Sequence, residues 1–210
     1  MELLKLSLAD WLTATGDKEP IPSAGSSVTL SAATGVGLLR RVVVATSQKK
    51  SHAQYHDALK ALVPTLDKLQ QTLKENIEKD ADAFLAVRET FFMPEITMDD
   101  RLEKVEVLDL AFKATAMIPL EVMDLCVEAL TLVEAHLAQL NKDLLVDVYS
   151  AVMQIFAGLS GSYASVRKNL QPVDDPAHVT QQQTKAADLL KKGRDMVNHI
   201  EMVCVKELEV

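Results

Sequence analysis

The stretch PIPSAGSSVTLSAATGVGLLRRVVVATSQKK, residues 20–50, contains no charged side chain before Arg40. An uncharged run of this length is longer than a typical β-strand, which favours a helix. Small residues recur along it at every fourth position, at Ser23, Ser27, Ser31 and Gly35. In a helix this spacing lays them on one face, where another backbone can approach closely. Valine and leucine residues on the remaining sides predict a central helix that is surrounded by others.

A membrane span is the alternative for this stretch. Its apolar part, Gly25 to Leu39, is shorter than the roughly 20 residues needed to cross a bilayer, and it is rich in Ser and Thr. We therefore predict a core helix and no membrane partner.

Composition predicts one globular helical domain over residues 1–210. Aromatic residues make up only 4% of the chain, so the core must consist mostly of Leu, Val and Ala. The net charge of -8 argues against nucleic acid, which binds clustered Lys and Arg. Cys126 and Cys204 lie far apart in apolar stretches, which predicts free buried thiols of a reducing compartment. No signal-like segment precedes the first helix, so we expect a cytoplasmic protein.

Capping and turn residues divide the rest of the chain into helices. Ser7 is suited to cap a short helix, and Gly16 to end it in a left-handed conformation. A long helical pattern runs from His52 to about Phe92, with a kink or break expected at Pro64.

The second half of the chain shows the same kind of pattern. Thr97 predicts the cap of a helix through Ile118, and Pro119 the first turn of another that ends near Leu140. A further helix spans about residues 142–168, and the last one follows the loop at 171–176 and ends at Leu208. No segment alternates with a period of two, so we predict an all-α bundle of long helices with no sheet.

Two groups of polar residues have the spacing of metal ligands. His52 and His56 share a helical face, but no third ligand lies within sequence reach, so a solvated polar face is favoured. Four aspartates could form a carboxylate site between helices: Asp80, Asp82, Asp143 and Asp147. We favour solvated or paired carboxylates here too, and predict no bound metal.

Asp147 is the aspartate best placed for chemistry, because apolar residues surround it between Leu144 and Val148. Partial desolvation makes a carboxyl group suited to proton transfer near neutral pH. A solvated or paired carboxylate is the more common outcome, and the residues alone leave both interpretations open.

Five blocks of the chain, taken in order, resemble one family. Residues 20–27 resemble Pro-x-Pro-Gly-Gly-Gly-Ser-Val, 80–84 resemble Asp-Ala-Glu-Ala-Phe, and 114–120 resemble Ala-Thr-x-x-Val-Pro-Leu. Residues 141–147 resemble Asn-x-x-x-x-Ser-Asp, and 164–170 resemble Ala-x-x-Asn-Val-x-x-Asn-Leu. Their order marks a resemblance to the cyclodeaminase domain of formiminotransferase-cyclodeaminase and to related bacterial methenyltetrahydrofolate cyclohydrolases.

The resemblance implies an all-helical homodimer that binds a reduced folate in a cleft near the proline-rich loop and the helix bearing Asp147. The family's chemistry is closure of formiminotetrahydrofolate with loss of ammonia, or hydrolysis of the methenyl bridge. Both reactions move a proton at the folate, so Asp147 is expected to be catalytic. The tetrahydrofolate derivative is the substrate, and no other cofactor is expected.

Eight further positions are expected to bind this substrate. Backbone donors around Gly25 and Ser26 suit an anionic or carbonyl group, and Lys49 and Lys50 suit the glutamate tail. The full set is Pro22, Ser23, Gly25, Ser26, Lys49, Lys50, Asp80 and Asn141.

Several family positions are altered in this chain. Ser23 and Ala24 replace two glycines of the loop, Val146 replaces a Ser, Ser165 replaces an Asn, and Glu95 reverses the charge of a Lys. Two alternatives therefore stay open. One is a non-catalytic family member that binds a folate-like ligand or a partner protein, and the other is an unrelated, metal-dependent helical regulatory bundle.

Overall fold

A computed structural model describes residues Glu2 to Leu208. Six α-helices account for most of this range, and it contains no β-strand. They are α1 (Leu8–Thr15), α2 (Ala24–Ser47), α3 (His56–Thr90), α4 (Met98–His136), α5 (Leu145–Asn169) and α6 (Pro176–Leu208). The prediction of an all-α bundle is confirmed.

Helix α2 is the central helix, packed between α3 and α5. Its small face allows close contact: a Cβ added at Gly35 would lie 2.6 Å from the carbonyl oxygen of Ala151 on α5. The Ser31 hydroxyl donates a hydrogen bond of 3.1 Å to the Gln154 carbonyl on the same neighbour. The predicted role of the small residues is thus confirmed, because a larger side chain would push α5 away.

The remaining helices complete the core around α2. Helix α4 packs against α3 and α5, and α6 packs across α4 and α5. A smaller apolar cluster fixes the amino-terminal segment to α3, and it consists of Leu3, Trp11, Ile77 and Ala81. The Glu78 carboxylate of α3 also accepts hydrogen bonds from the backbone of Leu3 and Leu4, at 3.1 and 2.7 Å.

Both predicted serine and threonine caps are confirmed. The Ser7 hydroxyl accepts from the backbone of Asp10, and Thr97 forms a reciprocal capping box with Asp100. The conformation predicted for Gly16 is wrong. Its φ is -91°, and its N–H donates back to the Thr13 and Ala14 carbonyls, so the helix ends without a left-handed residue.

The two prolines predicted to interrupt helices both lie inside continuous ones, Pro64 in α3 and Pro119 in α4. The helix boundary predicted at Pro119 is therefore wrong. A proline leaves the carbonyl four residues earlier without its helical donor. Lys60 is exposed, so water can reach its carbonyl, whereas the Thr115 carbonyl accepts a 3.0 Å hydrogen bond from Asn169 Nδ2 on α5. This contact from another helix replaces the missing donor.

The helix predicted from His52 begins four residues later, at His56, because residues Lys50–Tyr55 form a 3-10 segment. Both cysteines are free and buried, as predicted. Burial raises the pKa of the Cys126 thiol well above its ordinary value, which leaves it in its unreactive protonated form.

Two helical segments, Ala24–Ser47 and Lys142–Asn169, are long and apolar enough to cross a membrane by length and composition. The core helices of a globular bundle pass the same test. In this chain the two helices, α2 and α5, pack against each other.

Candidate functional site

A cleft of about 420 Å³ opens where α2 begins. Four helices form its wall, since α2 contributes its first two turns, α3 its last third, α4 its middle and α5 its last turns. The polar residues that line it include Ser23, Asp80, Thr115, Ser165, Lys168 and Asn169. The cleft therefore collects residues from four of the five blocks that carry the family resemblance.

Asp80 of α3 lies over the start of α2. Its Oδ2 atom accepts hydrogen bonds from the hydroxyls of Ser23, at 2.6 Å, and Ser26, at 2.9 Å. Within residues 2–208, no hydrogen bond reaches the other carboxylate oxygen, Oδ1. Two hydroxyls thus orient the carboxylate by one oxygen, while the second, Oδ1, lies against Gly25.

Gly25 permits this arrangement because a Cβ there would lie 2.7 Å from Asp80 Oδ2 and 2.8 Å from its Cγ. Ser23 adds a second function, since its hydroxyl accepts a 3.1 Å hydrogen bond from the Ser26 N–H and caps α2. That N–H is therefore occupied by the cap, and ligand binding by backbone donors around Gly25 and Ser26 stays a prediction. The serine in place of a family glycine supplies both a cap and a donor to Asp80.

The opposite wall depends on the proline in α4. Pro119 leaves the Thr115 carbonyl without its helical donor, and Asn169 donates to that carbonyl instead. This hydrogen bond joins the block at 114–120 to the block at 164–170 beside the cleft. Lys168 and Asn169 were not predicted as site residues, and neither was Thr115. The combination of an intrahelical proline and an asparagine was the one signal that could have linked them.

A second cavity, of about 510 Å³, continues the cleft. The two cavities share four lining residues, which are Phe84, Thr115, Lys168 and Asn169. Beyond them the second cavity is bounded largely by apolar groups, Val87, Phe112 and Pro172, together with Gln171. The result is one elongated space with a carboxylate at one end and an aromatic and apolar wall at the other.

Lys49 and Asn141 lie at the other end of α2. The Lys49 amino group donates to Asn141 Oδ1 at 2.9 Å and forms an ion pair with Asp143. The Asn141 N–H donates to the Thr46 hydroxyl at 3.2 Å. The hydrogen bond from Lys49 lowers the pKa of the Asp143 carboxyl. These four residues, Thr46, Lys49, Asn141 and Asp143, form what we term the distal cluster, in which the polar groups bind one another.

Asp147 belongs to this distal end as well. Its side chain is 28% exposed and lies 3.7 Å from the Arg41 guanidinium. Because α2 has 24 residues that each rise about 1.5 Å, its two ends lie roughly 35 Å apart. The helix that bears Asp147, α5, lines the cleft as predicted, but Asp147 itself does not, and its catalytic role stays a prediction.

The remaining predicted residues divide between the same two ends. Pro22 is buried directly before Ser23, on the side of the cleft, and Lys50 is exposed in the 3-10 segment after α2. The structure thus brings together Pro22, Ser23, Gly25, Ser26 and Asp80, and separates them from Lys49, Lys50, Asn141 and Asp147.

The altered family positions have local structural accounts. Glu95 accepts a 2.6 Å hydrogen bond from the Lys104 amino group, which lowers its pKa, so the reversed charge is compensated. The Ser165 hydroxyl donates to the Gly161 carbonyl of its own helix at 3.3 Å, and Val146 is 62% exposed at the distal end.

No group of three or more His, Cys, Asp or Glu side chains within residues 2–208 converges in a way that could hold a metal ion. His56 instead contacts the Lys49 carbonyl through Nε2 at 3.1 Å, and His52 contacts the Ser51 hydroxyl. Both histidines are half-buried, so the solvated polar face stays a prediction.

Fold and site together define a class: an all-α bundle whose small-residue central helix holds a carboxylate at the head of an elongated cleft. The chain belongs to the formiminotransferase-cyclodeaminase family, whose sequence model matches residues 7–188. The family resemblance carried by the five blocks is therefore confirmed.

Individual relatives support the same assignment. The chain is 26% identical over 187 residues to methenyltetrahydrofolate cyclohydrolase of Methylorubrum extorquens, covering 89% of this chain and 90% of that protein. It is 22% identical over 192 residues to formimidoyltransferase-cyclodeaminase of Sus scrofa, covering 91% of this chain but 36% of that protein. The solved structure of formiminotetrahydrofolate cyclodeaminase from Thermotoga maritima has the same fold, with a TM-score of 0.76 and 19% identity over 95% of this chain and 99% of that one.

Proposed function

We propose that this protein is a folate-dependent one-carbon enzyme, which either hydrolyses the bridge of methenyltetrahydrofolate or closes formiminotetrahydrofolate with loss of ammonia. The observation that carries the proposal is the Asp80 carboxylate, which lines the cleft and is held there by two serine hydroxyls on one oxygen. The family assignment supplies the substrate class.

Both reactions need one group that takes a proton and later returns it. In hydrolysis, water loses a proton as its oxygen bonds to the cationic bridging carbon. One carbon–nitrogen bond then breaks as that nitrogen gains a proton, and the new hydroxyl loses its own proton to solvent as it becomes the formyl carbonyl. In cyclodeamination, a folate nitrogen bonds to the formimino carbon and loses its proton, and ammonia leaves after its nitrogen is protonated. We assign this transfer to Asp80, because general acid–base catalysis needs a group that reaches the reacting atoms.

Hydrolysis is the first activity to test, since the relative named as a cyclohydrolase matches over 90% of its own length. The assay mixes purified protein with 5,10-methenyltetrahydrofolate and follows the loss of its absorbance above the uncatalysed rate. If hydrolysis is absent, formiminotetrahydrofolate is the second substrate. Absence of both activities would contradict the proposed enzymatic function and favour a non-catalytic family member.

The carboxylate is tested by Asp80→Asn, with Asp82→Asn as the matched control. Asp82 lies two residues further along α3, is exposed, and does not line the cleft. We expect Asp80→Asn to lower kcat/KM by about 10²- to 10⁴-fold, the usual contribution of a general acid–base group. Asp82→Asn should leave kcat/KM unchanged, and equal effects of the two variants would contradict the assignment.

We also propose a homodimer that pairs through the outward sides of α2 and α5. Only 44% and 39% of the residues in the most apolar stretches of these two helices are buried within one chain. A second copy would cover what remains, because closed symmetric dimers bury the same face of both chains. Light scattering should detect a dimer, and Ala45→Glu or Ala157→Glu, at exposed positions of α2 and α5, should convert it to a monomer. Ala187→Glu, at an exposed position of α6, should leave the dimer intact.

The cytoplasmic location remains a proposal as well, supported by two cysteines that are free rather than paired.

A further inference from the structure

The cleft extends beyond the space that the one-carbon chemistry requires. Asp80 lines the first cavity but not the second, and the second cavity is the larger of the two. Phe84 lies on the boundary, and Val87 and Phe112 line the far part. A ligand that fills both cavities must be long, with a reactive end near a carboxylate and a flat or apolar part beyond it.

Lys168 is the positively charged residue on this boundary. Its amino group donates a 3.2 Å hydrogen bond to the Gln171 amide oxygen, and Gln171 lines only the second cavity, so the charge lies on that side. Within residues 2–208, no carboxylate lies within ion-pair distance of Lys168. Its positive charge is therefore available to an anionic ligand.

Lys113 of α4, next to Phe112 in sequence, shows the contrasting case. Its amino group pairs with Asp109 at 2.9 Å and with Asp175 at 3.2 Å, and these hydrogen bonds raise its pKa. A lysine whose positive charge is already paired with two carboxylates attracts a further anion only weakly. Of these two lysines, Lys168 is the one that can recognise an anion.

We propose that Lys168 binds a carboxylate of the glutamate end of the folate and so determines specificity for the glutamylated substrate; this rests on the proposed function. A reduced folate carries its one-carbon unit near a bicyclic ring, followed by an aromatic linker and an anionic glutamate. The Asp80 charge repels the glutamate from the first cavity and attracts the cationic methenyl bridge. The ligand thus lies with its bridge at Asp80, its linker along Phe84 and its carboxylate at Lys168.

This inference replaces the prediction for Lys49 and Lys50. Lys49 is engaged in the distal cluster, and that cluster lies at the opposite end of α2 from the cleft.

The test compares Lys168→Gln with Arg167→Gln. Arg167 is the neighbouring exposed cation, lies outside both cavities, and stacks on the Tyr163 ring at 5.8 Å. Each variant is assayed with 5,10-methenyltetrahydrofolate and with the methenyl derivative of tetrahydropteroate, which lacks glutamate. We expect Lys168→Gln to raise KM roughly two- to fivefold for the glutamate-bearing substrate only, with kcat unchanged.

Two further readouts separate recognition from a structural effect. Lys168→Arg should keep KM near that of the unaltered enzyme, because it retains the charge. The KM difference caused by Lys168→Gln should also shrink as salt is added, since an exposed ion pair is screened.

The outcomes distinguish the two proposals. If the unaltered enzyme turns over the folate but Lys168→Gln behaves like Arg167→Gln, or impairs both substrates equally, the role of Lys168 is overturned and the proposed function stands. If the unaltered protein turns over neither methenyl- nor formiminotetrahydrofolate, the proposed function falls and the role of Lys168 falls with it.

Discussion

The two ends of α2 use similar residues to opposite effect. At its first turn, Asp80 accepts two hydroxyl hydrogen bonds on one oxygen and lines a cavity. At its last turn, Lys49, Asn141 and Asp143 bind one another. Both ends carry family blocks, so motif matching alone does not rank them. Polar atoms that lack a hydrogen-bond partner beside a cavity indicate a binding site, whereas polar groups that bind one another indicate a structural contact.

The largest expected effect separates the two aspartates. Asp80→Asn should lower kcat/KM by about 10²- to 10⁴-fold, while Asp147→Asn should leave it within about twofold, because Asp147 lies outside the cleft. Steady-state hydrolysis of 5,10-methenyltetrahydrofolate measures both, with circular dichroism as a check on folding.

Mixing the two variants sharpens this comparison. If both variants are inactive alone and a mixture regains activity, a partner copy brings Asp147 to the cleft. That result would contradict a site built from one chain and would restore the catalytic role predicted for Asp147.

The next effect concerns how Asp80 is positioned. Gly25→Ala places a Cβ 2.7 Å from Asp80 Oδ2, so the carboxylate must move. We expect at least a tenfold loss of kcat/KM and a decrease of about 1–3 kcal/mol in the free energy of unfolding. Gly16→Ala is the control, because its added Cβ would meet only the Thr13 carbonyl, at 3.5 Å. Activity that survives Gly25→Ala would show that the placement of Asp80 is unimportant.

A smaller effect is expected where α4 and α5 meet. Asn169→Ala leaves the Thr115 carbonyl without its donor and should reduce the free energy of unfolding by about 1–3 kcal/mol. Pro119→Ala restores a backbone N–H at residue 119 that can donate to the Thr115 carbonyl. In that background, Asn169→Ala should reduce the free energy of unfolding by less. Urea unfolding of the single and double variants measures the coupling, and strictly additive effects would contradict it.

The smallest effect is expected in the distal cluster. Lys49→Gln removes an exposed ion pair and should change stability only slightly at pH 7, with no change in kcat/KM. Because the folded-state pKa of Asp143 is lowered, the pair stabilises the fold above the unfolded-state pKa, near about 4, and this contribution is lost as the pH falls further. Melting curves of the variant and the unaltered protein should converge below about pH 4, and a constant difference would contradict the pairing.

The contrast between the two ends of α2 also explains which predictions succeeded. Small residues at every fourth position predicted the close approach of α5, and Ser7 and Thr97 predicted two helix starts, because these effects act within a few residues of the chain. Pro119 misled the prediction because the group that keeps α4 continuous, Asn169, lies 54 residues from Thr115 in sequence.

By itself, the sequence determined the helical class, the central helix and the family, since periodicity, capping and ordered motif blocks are all properties of the chain order. Only the tertiary structure placed Asp80 and Lys168 at the cleft, and Asp147 and Lys49 at the far end of α2. Those placements depend on which side chains find partners across helices and which face a cavity, and such distances follow from packing rather than from spacing along the chain.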